Sequence, residues 1–460
     1  MKQRTYREEQ NNATPEETYR ALERTLRRIQ GFGLVFIQCS PAEGERVIEY
    51  VRQKISSKQV EVLRLENKIS YLYDEIETFQ KEKPSDILFI TGIEKSLVDY
   101  IKLGIGGQGD YYKEDTVPRI LGHVNLQRER FRDNFDICFV FLVRKFAYKY
   151  FIRRAPDFFD WHSGMFEIPT ELEILEQESS RLILEGDYEN YLLLSDEERK
   201  AKLVEFKECL EDERLSQKKK VYLWFELGNL YASNKEYRSA LSLFEKVLQL
   251  NPNDDLAWYN RGNALSQLGQ NEEALSSFEQ VLQFNPNDDL AWYNRAKALF
   301  YLEQYEEAIV SFEKVLQINP NDYLTWNNRG VALGLLGKYE EALSSFEQTL
   351  QLNPDQEIAW NNQGVALSDM GKYKEAIASF EKVLQLNPNN DLAWYNKACC
   401  YALQDEIELA VESLQHAITL NPEDNRERAR TDSNFDCLCD NSQFKILITD
   451  SVALNSKYNN

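Results

Sequence analysis

The sequence predicts two architectures in one chain: an α/β domain with a parallel sheet, followed by an all-α array of helix pairs. Two observations predict this. The stretch NPNDDLAWYN begins at Asn251 and again at Asn285, 34 positions later, and copying at a fixed period is the mark of stacked supersecondary units. Ahead of the copies, short runs rich in branched apolar residues alternate with amphipathic helical stretches, the pattern of strands joined by crossover helices.

The period can be followed far beyond two copies. Tryptophan recurs at 224, 258, 292, 326, 360 and 394, and proline at 252, 286, 320, 354, 388 and 422. Between them stand a small residue (Gly228, Gly262, Ala296, Gly330, Gly364, Ala398), an alanine (Ala240, Ala274, Ala308, Ala342, Ala376, Ala410) and a phenylalanine (Phe244, Phe278, Phe312, Phe346, Phe380), with Leu414 in the last copy. In the second copy, Leu256, Trp258, Leu265 and Leu268 give a first helix its apolar stripe, and Gly269 suits a left-handed cap. Ala274, Leu275, Phe278, Val281 and Leu282 do the same for a second helix, while Gly262 and Ala274 let the two backbones approach closely. Pro286 then stops continuation. Six such units span residues 221–424, with the tryptophans expected inside the packing.

This pattern resembles the tetratricopeptide repeat, with W at the fourth position, G or A at the eighth, A at the twentieth, F at the twenty-fourth and P at the thirty-second. The resemblance implies a superhelix whose concave face, lined by the fifth and ninth positions of each first helix, holds a segment of another protein. Those positions read Phe225 and Asn229, Tyr259 and Asn263, Tyr293 and Lys297, Asn327 and Val331, Asn361 and Val365, Tyr395 and Cys399. The partner-binding candidates are Phe225, Asn229, Tyr259, Asn263, Tyr293, Lys297, Asn327, Asn361 and Tyr395. They form an aromatic, amide-rich set with Lys297 its only cation, unsuited to clamping a strongly acidic tail. Residues 425–449 read as a capping segment in which Phe435, Leu438, Phe444 and Leu447 cover the last repeat. Residues 450–460 read as a tail.

Residues 31–168 carry the alternating rhythm. The runs GLVFIQCS (33–40), VEVLRLE (60–66), DILFITG (86–92) and ICFVFLV (137–143) predict four strands. A phosphate-cradling loop belongs after the first, where CSPAEGERVI from Cys39 offers one glycine and no Gly-Lys-Ser/Thr ending, so the Walker A pattern is absent. The third run leads like a Walker B strand, but Thr91 and Gly92 stand where the magnesium-holding acid is expected, with Glu94 later. The glycine-rich KLGIGGQGD, 102–110, follows the third strand and reads as an insertion. The stretch from Asn125 to Ile168, NLQRERFR through APDFFDWHSGMFE, resembles a segment of bacterial proteins that couple a degenerate STAND or AAA-type ATPase-like domain to tetratricopeptide repeats. That resemblance implies a P-loop-like α/β domain without its Walker A motif, in a signalling or conflict-type adaptor. Residues 1–30 read as an N-terminal helical arm. Residues 169–220 read as a helical connector in which Ser195 and Glu198 have capping-box spacing.

Other chemistry is sparse. Cys39 ends a strand, and with His123 or His162 it could form a nucleophilic dyad only if the fold brought them together; a buried structural thiol is the expectation. Arg20, Arg24, Arg27 and Arg28 fall at helical spacing and read as a solvated row. Seven cysteines without a CxxC pair suit reduced thiols, and three scattered histidines do not suggest zinc. Residues 1–167 carry 27 Lys+Arg against 26 Asp+Glu, leaving a net −23 on residues 168–460. That acidity argues against nucleic-acid and anionic-membrane partners. No run approaches the length of a membrane span and the N-terminus lacks a secretory pattern, so the expected place is the cytoplasm; that the source is bacterial is implied by the resemblance alone. No catalytic residue, cofactor or metal is expected. The expected function is a non-enzymatic adaptor or sensor binding a partner segment in the groove, within a signalling or defence complex. The alternatives are a nucleotide-dependent switch and, more remotely, a cysteine hydrolase built on Cys39.

Overall fold

The structure, a computed structural model, describes residues 14–100 and 117–449. The glycine-rich stretch 102–110, the first part of the N-terminal arm and the tail from 450 lie outside the described residues. The chain divides into two compact units, residues 1–257 and 258–460.

The first unit opens with α1 (Pro15–Arg28), whose Thr14 and Glu17 form a reciprocal capping box. Then come β1 (Gly33–Gln38), α2 (Pro41–Lys54), β2 (Val60–Arg64), α3 (Leu72–Glu82), β3 (Ile87–Thr91), α4 (Arg119–Leu126), α5 (Arg128–Asn134), β4 (Cys138–Val143), α6 (Lys145–Arg154), α7 (Pro156–Phe159) and β5 (Gly164–Glu167). The strands pair in parallel in the order β2-β3-β4-β1-β5. The four strands read from the apolar runs are present. The fifth, GMFE, is four residues long and lacks their branched-residue signature.

Strand alternation sends side chains to two cores. On one face Leu34, Phe36, Leu88, Ile90, Phe139 and Phe141 are buried; on the other, Val35, Ile37, Ile87, Phe89, Val140 and Leu142. Phe36 and Phe141 stack across neighbouring strands at 5.0 Å. The first core continues through α8 (Leu172–Leu184), α9 (Tyr188–Leu193) and α10 (Asp196–Glu211) into the first helix pair, α11 (Gln217–Ser233) and α12 (Tyr237–Leu250). Leu182, Leu203, Phe206, Leu227 and Phe244 belong to the same apolar cluster as the sheet residues. Ser195 caps α10 as its spacing predicts, with Glu198 returning the bond.

Next in the chain is α13 (Asp255–Gln267), followed by α14 (Asn271–Phe284), α15 (Asp289–Tyr301), α16 (Tyr305–Ile318), α17 (Tyr323–Leu335), α18 (Tyr339–Leu352), α19 (Glu357–Asp369), α20 (Tyr373–Leu386), α21 (Asp391–Ala402) and α22 (Ile407–Leu420). From α15 to α21 each first helix packs on its own second helix and on the second helix before it. Two local devices make the pairs. Gly269, Gly337 and Gly371 end their first helices at φ near +75°, and in the other three repeats Lys235, Glu303 and Asp405 take the same left-handed conformation. A side chain there costs roughly 1–2 kcal/mol, so the turn geometry is imposed by the packing and not by glycine alone.

The second device is steric. A Cβ added to Gly330 would lie 2.5 Å from Cε1 of Phe346, and the equivalent distance at Gly262 and Gly364 is 2.7 and 2.6 Å. The phenylalanine of the second helix fills the space a side chain would take. Repeat three tolerates Ala296 against Phe312, so one methyl can be absorbed by a small separation of the helices.

The tryptophans depart from the sequence expectation. Trp292, Trp326, Trp360 and Trp394 are half-buried, and each indole Nε1 donates to the proline carbonyl of the preceding loop, at 2.9, 2.9, 2.8 and 3.1 Å. They brace the loop between repeats, and the core is built from the Ala/Gly and Phe positions. Beyond α22, α23 (Pro422–Thr431), a short 3-10 turn (Ser433–Leu438) and α24 (Ser442–Ile448) bring buried Phe435, Leu438 and Phe444 into one apolar cluster with Ala398, Ala402 and Leu414, with Leu447 partly buried beside them.

The steric device predicts a graded response at Gly330. Gly330→Ala gains about 1 kcal/mol of helix propensity and loses a comparable amount to Phe346, whereas Gly330→Val costs about 1–3 kcal/mol as an overpacked core. Urea unfolding of the full chain followed by circular dichroism measures both; equal midpoints for valine and alanine would mean the two helices are not in close contact there.

Candidate functional site

Two places in the described residues combine shape with chemistry. The first is the face made by the first helices of the second unit. Positions 2, 6, 9 and 13 of each repeat fall on one side of a helix, away from buried residues such as Ala296 and Leu299. Successive first helices α17, α19 and α21 touch one another, so their stripes lie side by side.

A polar ladder crosses this face. Asn294 donates through Nδ2 to the Tyr259 hydroxyl at 3.0 Å, and Asn328 to that of Tyr293 at 3.0 Å. Asn362 and Asn396 repeat the move onto Oδ1 of Asn327 and Asn361, at 3.1 and 3.2 Å. The fifth position of one repeat is thus tied to the sixth position of the next. Sequence reasoning named the acceptors and missed the donors, although an asparagine at every sixth position from 260 to 396 was there to be read.

The remaining candidates divide. Lys297 sits 5.8 Å from the Tyr293 ring centre. Asn263 is half-buried, and Asn327 is buried. Tyr395 is 2% exposed, donates to Asp432 at 2.9 Å and packs edge-on against Phe435, so it is covered by the C-terminal segment. In the first unit, Phe225 packs against Phe244, and buried Asn229 donates to Glu226.

The sequence reading placed the second position, as Leu256, in the packing stripe of its helix, but Leu256 is 60% exposed and its counterparts behave alike. Leu290, Leu324, Ile358 and Leu392 are 58%, 45%, 60% and 37% exposed. On the same helical sides Tyr301, Leu335, Val365 and Leu403 are also exposed. Apart from Lys297, the cations of α15, α17 and α21 are engaged elsewhere. Arg295 bonds to Ser311 and Glu279, Arg329 to Ser345 and Glu313, and Lys397 to Glu381, each within 6 Å of its repeat's tryptophan ring.

The second place is the carboxyl end of the sheet, between β1 and β4, whose following connections run in opposite directions; open α/β sheets bind ligands at such a switch point. Cavities of about 320 and 420 Å³ share Cys39, Ser40, Arg144 and Glu205 in their linings. The geometry is unfavourable to a nucleotide. Only Cys39 and Ser40 separate β1 from α2, too few to wrap a phosphate. Ser40 Oγ already accepts the Glu43 amide. The Glu43 carboxylate, 2% exposed, lies in the first turn and accepts from the Glu171 amide at 3.1 Å, placing negative charge where a phosphate would sit. Arg144 is engaged with Glu208 at 2.9 Å and Glu205 at 3.6 Å. Burial raises the pKa of both Glu94 and Glu208, and Glu94 Oε2 has no hydrogen-bond partner.

Nor is Cys39 set up as a nucleophile. Burial, then the negative charges of Glu94 and Glu43, push its thiol up to about 12, and reactive cysteines need the opposite shift. His123 packs at a tilt against Tyr71 and His162 bonds to the Phe159 carbonyl oxygen; neither lines the cavities beside Cys39. In the arginine row, Arg20 and Arg27 pair with Glu16 and Glu23, and Arg27 also donates to the Lys54 carbonyl. Among the described residues no group of three or more potential ligands is clustered for a metal, and no helix is long and apolar enough to cross a membrane.

Comparison with known proteins bears on the repeats. Tetratricopeptide repeat family models match residues 231–299 and, in four consecutive copies, 290–322, 323–356, 358–390 and 392–424. These segments are tetratricopeptide repeats, a type that is typically a non-enzymatic protein-interaction scaffold. No curated protein matches the chain. Similar solved structures include a tetratricopeptide repeat protein from Parabacteroides merdae, 20% identical over 60% of this chain and 98% of its own, TM-score 0.41. YrrB, a TPR protein with an unusual peptide-binding site, is 28% identical over 39% of this chain and 93% of its own, TM-score 0.35. MamA of Desulfovibrio magneticus is 24% identical over 37% and 97%, TM-score 0.36.

Two measurements test these sites. Asn328→Ala removes one rung of the ladder and costs about 0.5–1.5 kcal/mol; Tyr293→Phe costs a similar amount, and the double variant costs no more than the larger single one. Additive costs in a double-mutant cycle would show that the rung does not couple the repeats. At the sheet edge, magnesium and ATP added to the full chain release no phosphate, because no lysine or phosphate loop stands after β1; turnover that vanishes on changing residues 39–47 would overturn this.

Proposed function

We propose that the chain is a non-enzymatic adaptor that holds an extended or helical segment of another protein on the first-helix face of its repeats, in a bacterial signalling or defence complex. One observation carries the reading: a stripe of exposed Leu, Ile, Val and Tyr side chains recurs on consecutive helices, and contiguous apolar surface of this kind marks interaction sites. The ladder beside it supports the same reading, since it fixes the spacing between stripes. Within this face Tyr259, Asn263, Tyr293, Lys297, Asn327 and Asn361 flank the apolar stripes, and we assign Tyr395 to the C-terminal packing instead. The α/β domain acts as a folded platform without nucleotide turnover, and its acquisition of a switching role is disfavoured by Glu43 at the first turn of α2.

The double variant Leu324→Gln and Ile358→Gln tests the face without touching the ladder. Affinity capture from the native cell, followed by mass spectrometry, should show partners reduced at least tenfold, about 1.4 kcal/mol, while circular dichroism stays native. Undiminished capture by the folded variant would move the binding surface off the repeats.

A further inference from the structure

The apolar stripes have one charged margin, and its sign is uniform. The loops leading into the first helices, with the opening turns that follow, are residues 286–293, 320–328, 354–362 and 388–396. They contain Asp288, Asp289, Asp322, Asp355, Glu357 and Asp391 and no lysine or arginine. The second-position residues Leu290, Leu324, Ile358 and Leu392 stand within this margin.

Part of that negative charge is used locally. Asp288 and Asp322 accept the amides of their helix N-termini, and each N-terminus offsets about half a charge. Asp289 and Asp355 have no ion pair with a basic side chain among those described, and Glu357 is bonded by Asn387 and Asn390, which are neutral. Most cations that could balance the margin are committed further along: Arg295, Arg329 and Lys397 pair with glutamates of the preceding second helices, and Lys297, on the face itself, lies over the Tyr293 ring and is one charge against six acids. Over residues 258–449 there are 14 Lys+Arg against 29 Asp+Glu. An occupant of the face therefore meets apolar surface bordered by uncompensated carboxylates, and complementary charge is what selects and orients it.

Resting on the adaptor reading above, we infer that the segment bound on this face is amphipathic and basic: apolar side chains seat on the Leu290–Leu392 stripes, and Lys or Arg side chains at its edge meet the margin of Asp289, Asp355 and Glu357. An acidic tail is excluded by the same charges, and a basic segment without apolar residues leaves the stripes exposed.

Three fluorescein-labelled peptides of equal length, about 18 residues or five helical turns, separate the alternatives on the full chain: one of Leu and Lys, one of Leu and Glu, one of Ser and Lys. Fluorescence anisotropy should give the Leu/Lys peptide a Kd at least tenfold lower than either of the others. Asp289→Asn with Asp355→Asn should weaken it severalfold and flatten its salt dependence, and Leu324→Gln with Ile358→Gln should weaken it at least tenfold. Preference for the Leu/Glu peptide, abolished by the Leu324/Ile358 variant, would leave the adaptor face standing and overturn its basic selectivity. Tight Leu/Lys binding indifferent to both double variants would place the interaction elsewhere and overturn the face as well. Equal binding of the Ser/Lys peptide would reduce the effect to general attraction between opposite charges and would sink the inference too.

Discussion

The repeats depend on how closely two helices can approach. Gly262, Gly330 and Gly364 lie under the rings of Phe278, Phe346 and Phe380, with no room for a side chain between them. That contact sets the separation within each pair. Because the pair is the unit that stacks, the same distance is passed on to every neighbour. The alanine at position 20, fully buried throughout (Ala274, Ala308, Ala342, Ala376, Ala410), repeats the constraint from the other helix. Large aromatic residues then appear only where the small ones have made space, which is why a periodic sequence can hold a dense interior without a central core.

Polar residues add what packing leaves undetermined. A small-against-large contact fixes distance but permits sliding, and hydrogen bonds between repeats resist it. The arginine at position 7 is bound on three sides, by the tryptophan face, a serine of its own repeat and a glutamate of the previous one. The asparagine at position 6 reaches back to position 5 of the preceding repeat. Most positive charge is thereby spent inside the array, and the exposed side of the first helices is left, Lys297 aside, largely apolar and bordered by acids. The chemistry exposed on the face follows from the way the array is held together.

Much of this was legible in the sequence. The 34-residue period, the small residue at position 8, the phenylalanine and the proline each have a steric meaning that needs no structure. Four strands were readable because β1 and β4 are buried on both faces and so consist of unbroken apolar runs. β5 was not, since four residues ending in Glu167 carry no period. The tryptophans were misjudged because a large aromatic at a fixed position suggests a core residue, whereas the indole N–H here spans to a loop carbonyl and keeps one edge in water. Tyr395 looks like Tyr259 and Tyr293 in sequence, but it belongs to the last repeat, where the next first helix is replaced by Asp432 and Phe435. The ladder escaped notice for a physical reason: an asparagine at position 6 has no partner until the preceding repeat is placed beside it.

Differences between near-identical copies are informative even within one chain. Where repeats agree, at positions 4, 20 and 32, the side chains pack or brace. Where they differ, packing is less demanding, as at position 9, reading Asn263, Lys297, Val331, Val365 and Cys399. Position 5 changes in step, from Tyr259 and Tyr293 to Asn327 and Asn361, without breaking the ladder, because a phenol oxygen and an amide oxygen both accept from the neighbouring asparagine. The face therefore passes from phenolic and charged near α13 and α15 to short amides and valines near α17 and α19. A segment lying along it meets different chemistry at its two ends, and the ladder holds that sequence of environments at constant spacing. An array of interchangeable scaffold units thus presents a surface with direction, which is what recognition of a particular segment requires.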